Sequence, residues 1–227
     1  MKPVTKSLSE RNYPIITAHS GCEGTPDNSL EHIRAAIASG AECLEIDVHE
    51  YNGTLYLTHD EKGSYNGCPT LADCCALVAA DDRIFLQCDC KAFGLVRACR
   101  DLAESFGIAH RVLVAGSVGD DELPELDGSE TDRWLGMWRS DHEAEELVEN
   151  CEKLRASGGK YRVVNVDKNM ANDFMLEKIR EYDLFLSVWT VNNEADLRRF
   201  LAMPEIKNIT TRKPSLALKL RHEICGI

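Results

Sequence analysis

Three short runs decide how the chain is read: Ile15-Ile16-Thr17-Ala18-His19-Ser20-Gly21, Leu44-Glu45-Ile46-Asp47-Val48 and Leu55-Tyr56-Leu57-Thr58-His59-Asp60. Each has the β-branched and large apolar content of a strand. Between the first two, Leu30, Ile33, Ala36 and Ile37 recur at helical spacing, and Gly40 is placed to end the helix. Strand, helix and strand make the unit from which parallel sheets are built. The third run cannot be the next parallel strand. Only residues 49–54, with Asn52-Gly53 among them, separate it from Val48. A parallel crossover needs about a dozen residues, and Asn-Gly is the strongest hairpin signal. Residues 54–58 should therefore fold back antiparallel and carry His59 towards the carboxylates of the second run.

Those carboxylates carry the chemistry. Glu45 and Asp47 are two residues apart in a strand, so both point to one face. Side by side they repel each other and lose hydration, unless a cation sits between them. A hard divalent ion with oxygen ligands, Mg2+ or Ca2+, suits such a pair.

Outward from this region the chain keeps alternating. Strands are expected at 13–18, 43–48, 83–90, 111–116, 132–138, 161–166, 184–191 and 206–210. Helices are expected at 30–39, 71–80, 93–106, 141–156, 172–182, 194–202 and 216–222, with a weak segment at 122–126. Eight strands alternating with helices predict an α/β chain, a TIM barrel with a β-hairpin arm after strand two, in one domain over residues 1–227. A doubly wound open sheet is the alternative architecture.

Composition narrows the partners. A formal charge of -12 opposes nucleic acid, and an anionic substrate must be drawn in by local positive charge. No apolar run is long enough for a membrane span. Residues 1–10 lack the apolar core of a signal peptide, so a cytoplasmic location with the ten cysteines reduced is expected. Cys88 and Cys90 flank Asp89 and should point away from it, towards the helices. His32, His49, His110, His142 and His222 are read as solvent-facing residues of helices or loops.

The order His19-x-Gly21, Pro26-x-Asn28, Glu45-x-Asp47 and His59-Asp60 resembles the glycerophosphodiester phosphodiesterase family, whose pattern runs His-Arg-Gly, Pro-Glu-Asn-Thr, Glu-Leu-Asp-Val and His-Asp. Asp89-Cys90-Lys91 sits where that family has Glu-x-Lys, and Trp189-Thr190-Val191-Asn192 is similar to its Trp-Thr-Val-Asn. Thr211-Arg212-Lys213-Pro214 stands in for a Thr-Asp-x-Pro ending. The resemblance implies a TIM barrel that cleaves a small-molecule phosphodiester, releasing an alcohol and a phosphomonoester such as glycerol 3-phosphate. It implies one divalent cation held by Glu45, Asp47 and Asp89, with His19 and His59 as general acid and base in an order left open. Lys91 would bind a phosphate oxygen and Asp27 would face substrate; Arg212, where the family has an acidic or amide residue, is expected on its own charge to face substrate as well. Trp189 would wall the pocket or, alternatively, belong to the core. Asn28 is expected to fix its loop through side-chain-to-backbone bonds.

The chain also departs from the family pattern. Ser20 replaces a phosphate-clamping Arg, Asp27 and Asp89 are each one methylene shorter than Glu, and the longer insertion after the hairpin is lacking. Arg212 or Lys213 is expected to restore part of the lost positive charge. Two further readings remain at this stage: a lyase that leaves a cyclic phosphate, and an inactive barrel that binds a phosphorylated ligand.

Overall fold

The computed structural model describes residues 8, 10–136, 143–158 and 162–227, in which strand and helix alternate. The strands are β1 (Ile15–Ala18), β2 (Cys43–Tyr51), β3 (Thr54–Leu57), β4 (Phe85–Cys90), β5 (Val112–Gly116), β6 (Asp132–Arg133), β7 (Leu135–Gly136), β8 (Val163–Asp167), β9 (Phe185–Trp189) and β10 (Ile206–Thr211). The helices are α1 (Leu30–Ser39), α2 (Leu71–Ala79), α3 (Val96–Ser105), α4 (Glu143–Ala156), α5 (Asp173–Glu181), α6 (Glu194–Leu201) and α7 (Pro214–Cys225).

The sheet runs in the order β6-β5-β4-β2-β1-β10-β9-β8-β7, and every pairing along it is parallel. β6 pairs with β5, and β7 pairs with β8 on the opposite edge. Only Trp134 separates β6 from β7, so together they act as one fifth stave that closes the sheet on itself. The result is the expected eight-stave barrel. Residues 137 and 138 of the expected fifth strand, 161 of the sixth, and 141 and 142 of the helix between them lie outside the described residues.

The hairpin folds as its turn residues require. Asn52 and Gly53 both adopt positive φ, 49° and 78°, the combination that matches the twist of two antiparallel strands. β3 pairs antiparallel with β2 from Val48↔Leu57 to Tyr51↔Thr54, and this pairing carries β2 three residues beyond its expected end. α3 starts at Val96 instead of residue 93, because the chain first turns at Gly94. Ser29 caps α1 by accepting from the His32 N–H at 3.0 Å, and Thr70 with Asp73 forms a capping box on α2.

The apolar core has two parts. Between sheet and helices lie Leu44, Ile46, Ile33 and a group of thiols, Cys74, Cys75, Cys88, Cys90 and Cys99. All ten cysteines are free. Inside the barrel, at the N-terminal ends of the strands, Ile15, Cys43, Phe85, Leu113, Trp134 and Val163 form a plug. Removing the Trp134 side chain would cost about 3–5 kcal/mol, since nothing else can fill that volume.

Above the plug runs a belt of hydrogen bonds. Thr17 Oγ1 donates to Asn208 Oδ1 at 2.6 Å, Asn208 Nδ2 to Ser187 Oγ at 2.8 Å, and Ser187 Oγ to Asn165 Oδ1 at 2.7 Å. These bonds offset the cost of polar groups inside the barrel. The C-terminal ends of the strands are thus lined by polar side chains. No described helix is long and apolar enough to cross a membrane.

Candidate active site

Strand register assembles the acidic cluster. Asp47 on β2 pairs with Asp89 on β4, and one pleat below Glu45 pairs with Gln87. Neighbouring strands lie about 4.8 Å apart, so the four side chains form a grid on the inner face. A carboxylate oxygen from each of Glu45, Asp47 and Asp89 lies within 4.8 Å of the others. Burial, then the charges of Asp47 and Asp89, push the Glu45 carboxyl well above its ordinary value. Asp89 is raised by burial against the pull of Lys91. Asp47 is buried too, yet Lys91 and the Asn28 amide outweigh that burial and hold it below the usual carboxylate range. Three converging oxygen donors, two of them costly to ionise unaided, are the donor set a hard divalent cation requires.

Two neighbours brace the cluster. Asn28 accepts from the Asp47 N–H at 2.9 Å and donates Nδ2 to Asp47 Oδ2 at 2.7 Å. Its own N–H donates to Ser20 Oγ at 2.7 Å, and the Ser20 N–H donates to Glu45 Oε2 at 3.0 Å. The Pro26–Ser29 loop is therefore fastened to the cluster through Asn28, with Ser20 as the intermediate. Lys91 Nζ lies 2.8 Å from Asp47 Oδ1 and 2.5 Å from Asp89 Oδ2.

One cavity of about 310 Å³ collects His19, Glu45, Asp47, His59, Asp89, Lys91, Trp189 and Arg212. His19 immediately follows β1, with Nδ1 bonded to the Ser20 carbonyl at 2.9 Å and 4.0 Å from Glu45 Oε2. A carbonyl only accepts, so Nδ1 carries the proton and Nε2 the lone pair. Burial lowers the His19 imidazole from its ordinary value, the Ser20 carbonyl opposes this, and Arg212 adds to it. His59, just past the hairpin, is exposed and holds Nδ1 2.8 Å from Asp60 Oδ1. Trp189 is half-buried at the end of β9 and contributes to the cavity wall.

Asp27 stands apart from the rest. It is exposed, does not line this cavity, and pairs with Arg212 at 3.0 Å. Lys213, also exposed, lines a different cleft. Among the other histidines, His32 overturns the expectation of a solvent-facing residue. It is fully buried and joins Nε2 to the Glu45 carbonyl at 3.0 Å, because α1 packs directly behind β2. His49 lies within β2, half-buried, His110 is half-buried in a short turn, and His222 is exposed. His142 lies outside the described residues.

Sequence reasoning missed Gln87 and Asn165, which also line the cavity. Alternation reveals both. Gln87 is two residues before Asp89, and Asn165 interrupts the apolar run Val163-Val164-Asn165-Val166 on its inward face.

No protein-family model matches the chain, and no curated protein matches it either. Solved structures do. A putative glycerophosphoryl diester phosphodiesterase from Agrobacterium tumefaciens is 18% identical with a TM-score of 0.78, covering 94% of this chain and 99% of its own. A glycerophosphodiester phosphodiesterase from Thermotoga maritima is 19% identical with a TM-score of 0.71, covering 93% and 100%. An Oleispira antarctica phosphodiesterase, solved with its product sn-glycerol-3-phosphate, is 16% identical with a TM-score of 0.68, covering 95% and 98%. The chain has the glycerophosphodiester phosphodiesterase fold. In this glycerophosphodiester phosphodiesterase fold the acidic grid and both cavity histidines stand at the C-terminal ends of the strands or on the arm beside them. That is the end at which TIM barrels carry their sites.

Proposed function

We propose that the protein is a metal-dependent phosphodiesterase that hydrolyses glycerophosphodiester-like substrates to an alcohol and a phosphomonoester such as glycerol 3-phosphate. The observation that carries this reading is the in-register pair Asp47–Asp89 with Glu45 one pleat below, opening into the cavity that His19, His59 and Lys91 also line. Glu45, Asp47 and Asp89 would hold Mg2+ or Ca2+, which when bound supplies Lewis-acid polarisation of a phosphoryl oxygen and offsets transition-state charge.

The protein's own groups do the rest. His19, with its proton fixed on Nδ1 by Ser20, offers Nε2 as the base for an attacking water. His59, with Nδ1 tied to Asp60, carries the proton for the leaving alcohol on Nε2 and recovers it from solvent. Lys91 and Arg212, both in the cavity wall, supply positive charge for the phosphate. Trp189 gives an apolar wall, and Asp27 bears on substrate only through Arg212.

Glycerophosphocholine, incubated with and without EDTA and followed by phosphorus NMR, tests the reading. Glycerol 3-phosphate that appears with metal and vanishes with EDTA supports it. A cyclic phosphate would make the protein a lyase. Ligand binding without any turnover would make it a binding barrel.

A further inference from the structure

His59 borders two spaces. One is the cavity that holds the acidic grid, and the other is a wider cleft of about 600 Å³. The cleft runs between α1 and the loop from β3 to α2, with Glu31 and Arg34 on one wall and Lys62 on the other. A general acid works from hydrogen-bond distance, so the departing oxygen must lie against His59. The cavity of about 310 Å³ must already house the ion, the phosphoryl group and the attacking water. The cleft is the open space left beside that oxygen.

The charges on its walls do not balance. Three carboxylates line it, Asp27, Glu31 and Asp60. Asp60 is joined to His59 at 2.8 Å and Asp27 to Arg212 at 3.0 Å, which leaves Glu31. Against it stand two cations. The Arg34 guanidinium has no partner among the described residues, and Lys62 Nζ has only the Cys68 thiol, at 3.5 Å. Both side chains are exposed, in a chain whose net charge of -12 repels anions at long range. A guanidinium fork with an ammonium across the cleft suits the oxygens of a phosphate group.

We infer that this cleft receives the leaving alcohol, and that Arg34 and Lys62 select alcohols bearing a phosphate group of their own, an inference that rests on the phosphodiesterase reading above. The ester phosphate is held by the groups of the cavity, and the second phosphate by the two cations of the cleft. His59 stands between them and protonates the oxygen that joins the two halves. Glu31 opposes the second phosphate and limits the preference.

The test compares kcat/KM for glycerophosphoinositol and glycerophosphoinositol 4-phosphate, with the full chain in excess Mg2+ at low salt, read as glycerol 3-phosphate release. The two substrates differ by one phosphate on the leaving alcohol. The native protein should favour the phosphorylated substrate by about fivefold or more, whereas its net charge alone would disfavour it. Arg34→Gln and Lys62→Gln should each cut that preference by about two- to fivefold, and the double substitution should abolish it. Glu31→Gln should widen it, and high salt should narrow it. No preference in the native protein, or the reverse preference, overturns the cleft assignment. A preference that survives the double substitution also overturns it, as does a double substitution that slows both substrates alike. Turnover of glycerophosphocholine with neither inositol ester overturns it too. Hydrolysis of none of the three would instead overturn the phosphodiesterase reading itself, and the cleft assignment with it.

Discussion

Lys91 and Asp47 are joined at 2.8 Å, with the same ammonium 2.5 Å from Asp89. The protein thus carries an internal cation against two of the carboxylates proposed to hold a divalent ion. A divalent ion held there would compete with the ammonium for the same oxygens. Lys91→Met should tighten Mg2+ binding by about tenfold, roughly 1.4 kcal/mol, while weakening phosphate ligands. Titration calorimetry with Mg2+ alone checks this, and unchanged or weaker Mg2+ affinity would remove the competition.

His19→Ala and His59→Ala should each lower kcat by about 10²–10⁴ with little change in melting temperature. Steady-state kinetics on glycerophosphocholine decides it. A variant that turns over like the native protein carries no proton in the reaction.

Arg212 is shared between Asp27 and the cavity. Both partners are substantially exposed, so salt screens the pair and the effects stay modest. Arg212→Ala should raise KM roughly three- to tenfold, and Asp27→Asn, which releases the guanidinium, should lower it. Both shifts should shrink as ionic strength rises. Identical KM values for all three proteins would take Arg212 out of substrate binding.

Asn28→Ala leaves the Asp47 N–H without its acceptor and unfastens the loop from β2. The loss should be about 1–3 kcal/mol in unfolding free energy, measurable by urea denaturation. Asn28→Asp keeps the acceptor and adds a charge beside Asp47, so it should restore stability less well than the native amide.

Burial drives the His32 imidazole down to about 4, although the Glu45 carbonyl pulls the other way. In the folded protein His32 is therefore neutral, whereas the unfolded chain takes up a proton below about 6.5. Its contribution to stability is present above pH 6.5 and is lost as pH falls towards 4, by an amount on the order of 3 kcal/mol. Melting temperatures of native protein and His32→Asn should converge over that interval. A constant difference between them would mean that His32 does not titrate there.

Much of this was legible from residue order because strands convert spacing into direction. Glu45 and Asp47 share a face whatever the rest of the chain does, and Asn52-Gly53 admits little except a tight reversal. His32 escaped notice because helical periodicity marks apolar positions, and a polar residue there reads as surface until its partner is known. That partner is a backbone carbonyl, which leaves no trace in the sequence. Gln87 was hidden for a different reason. Alternation gives its face, but its place beside Glu45 depends on the register between β2 and β4, a relationship between distant segments.

The two cavity imidazoles are anchored differently, one at the tip of a stave and the other on the hairpin arm. The stave is fixed by neighbours on both sides. The arm pairs with β2, its Leu57 N–H donates to the Pro69 carbonyl at 2.9 Å, Tyr56 packs against Tyr65, and Leu55 and Leu57 enter the core. His59 therefore takes its place from the β2–β3 register and from the Thr58 N–H, which donates to the Asp47 carbonyl at 3.1 Å, and not from barrel closure. A one-step slip of β3 against β2 would move one imidazole and leave the other, with the acidic grid, where it is.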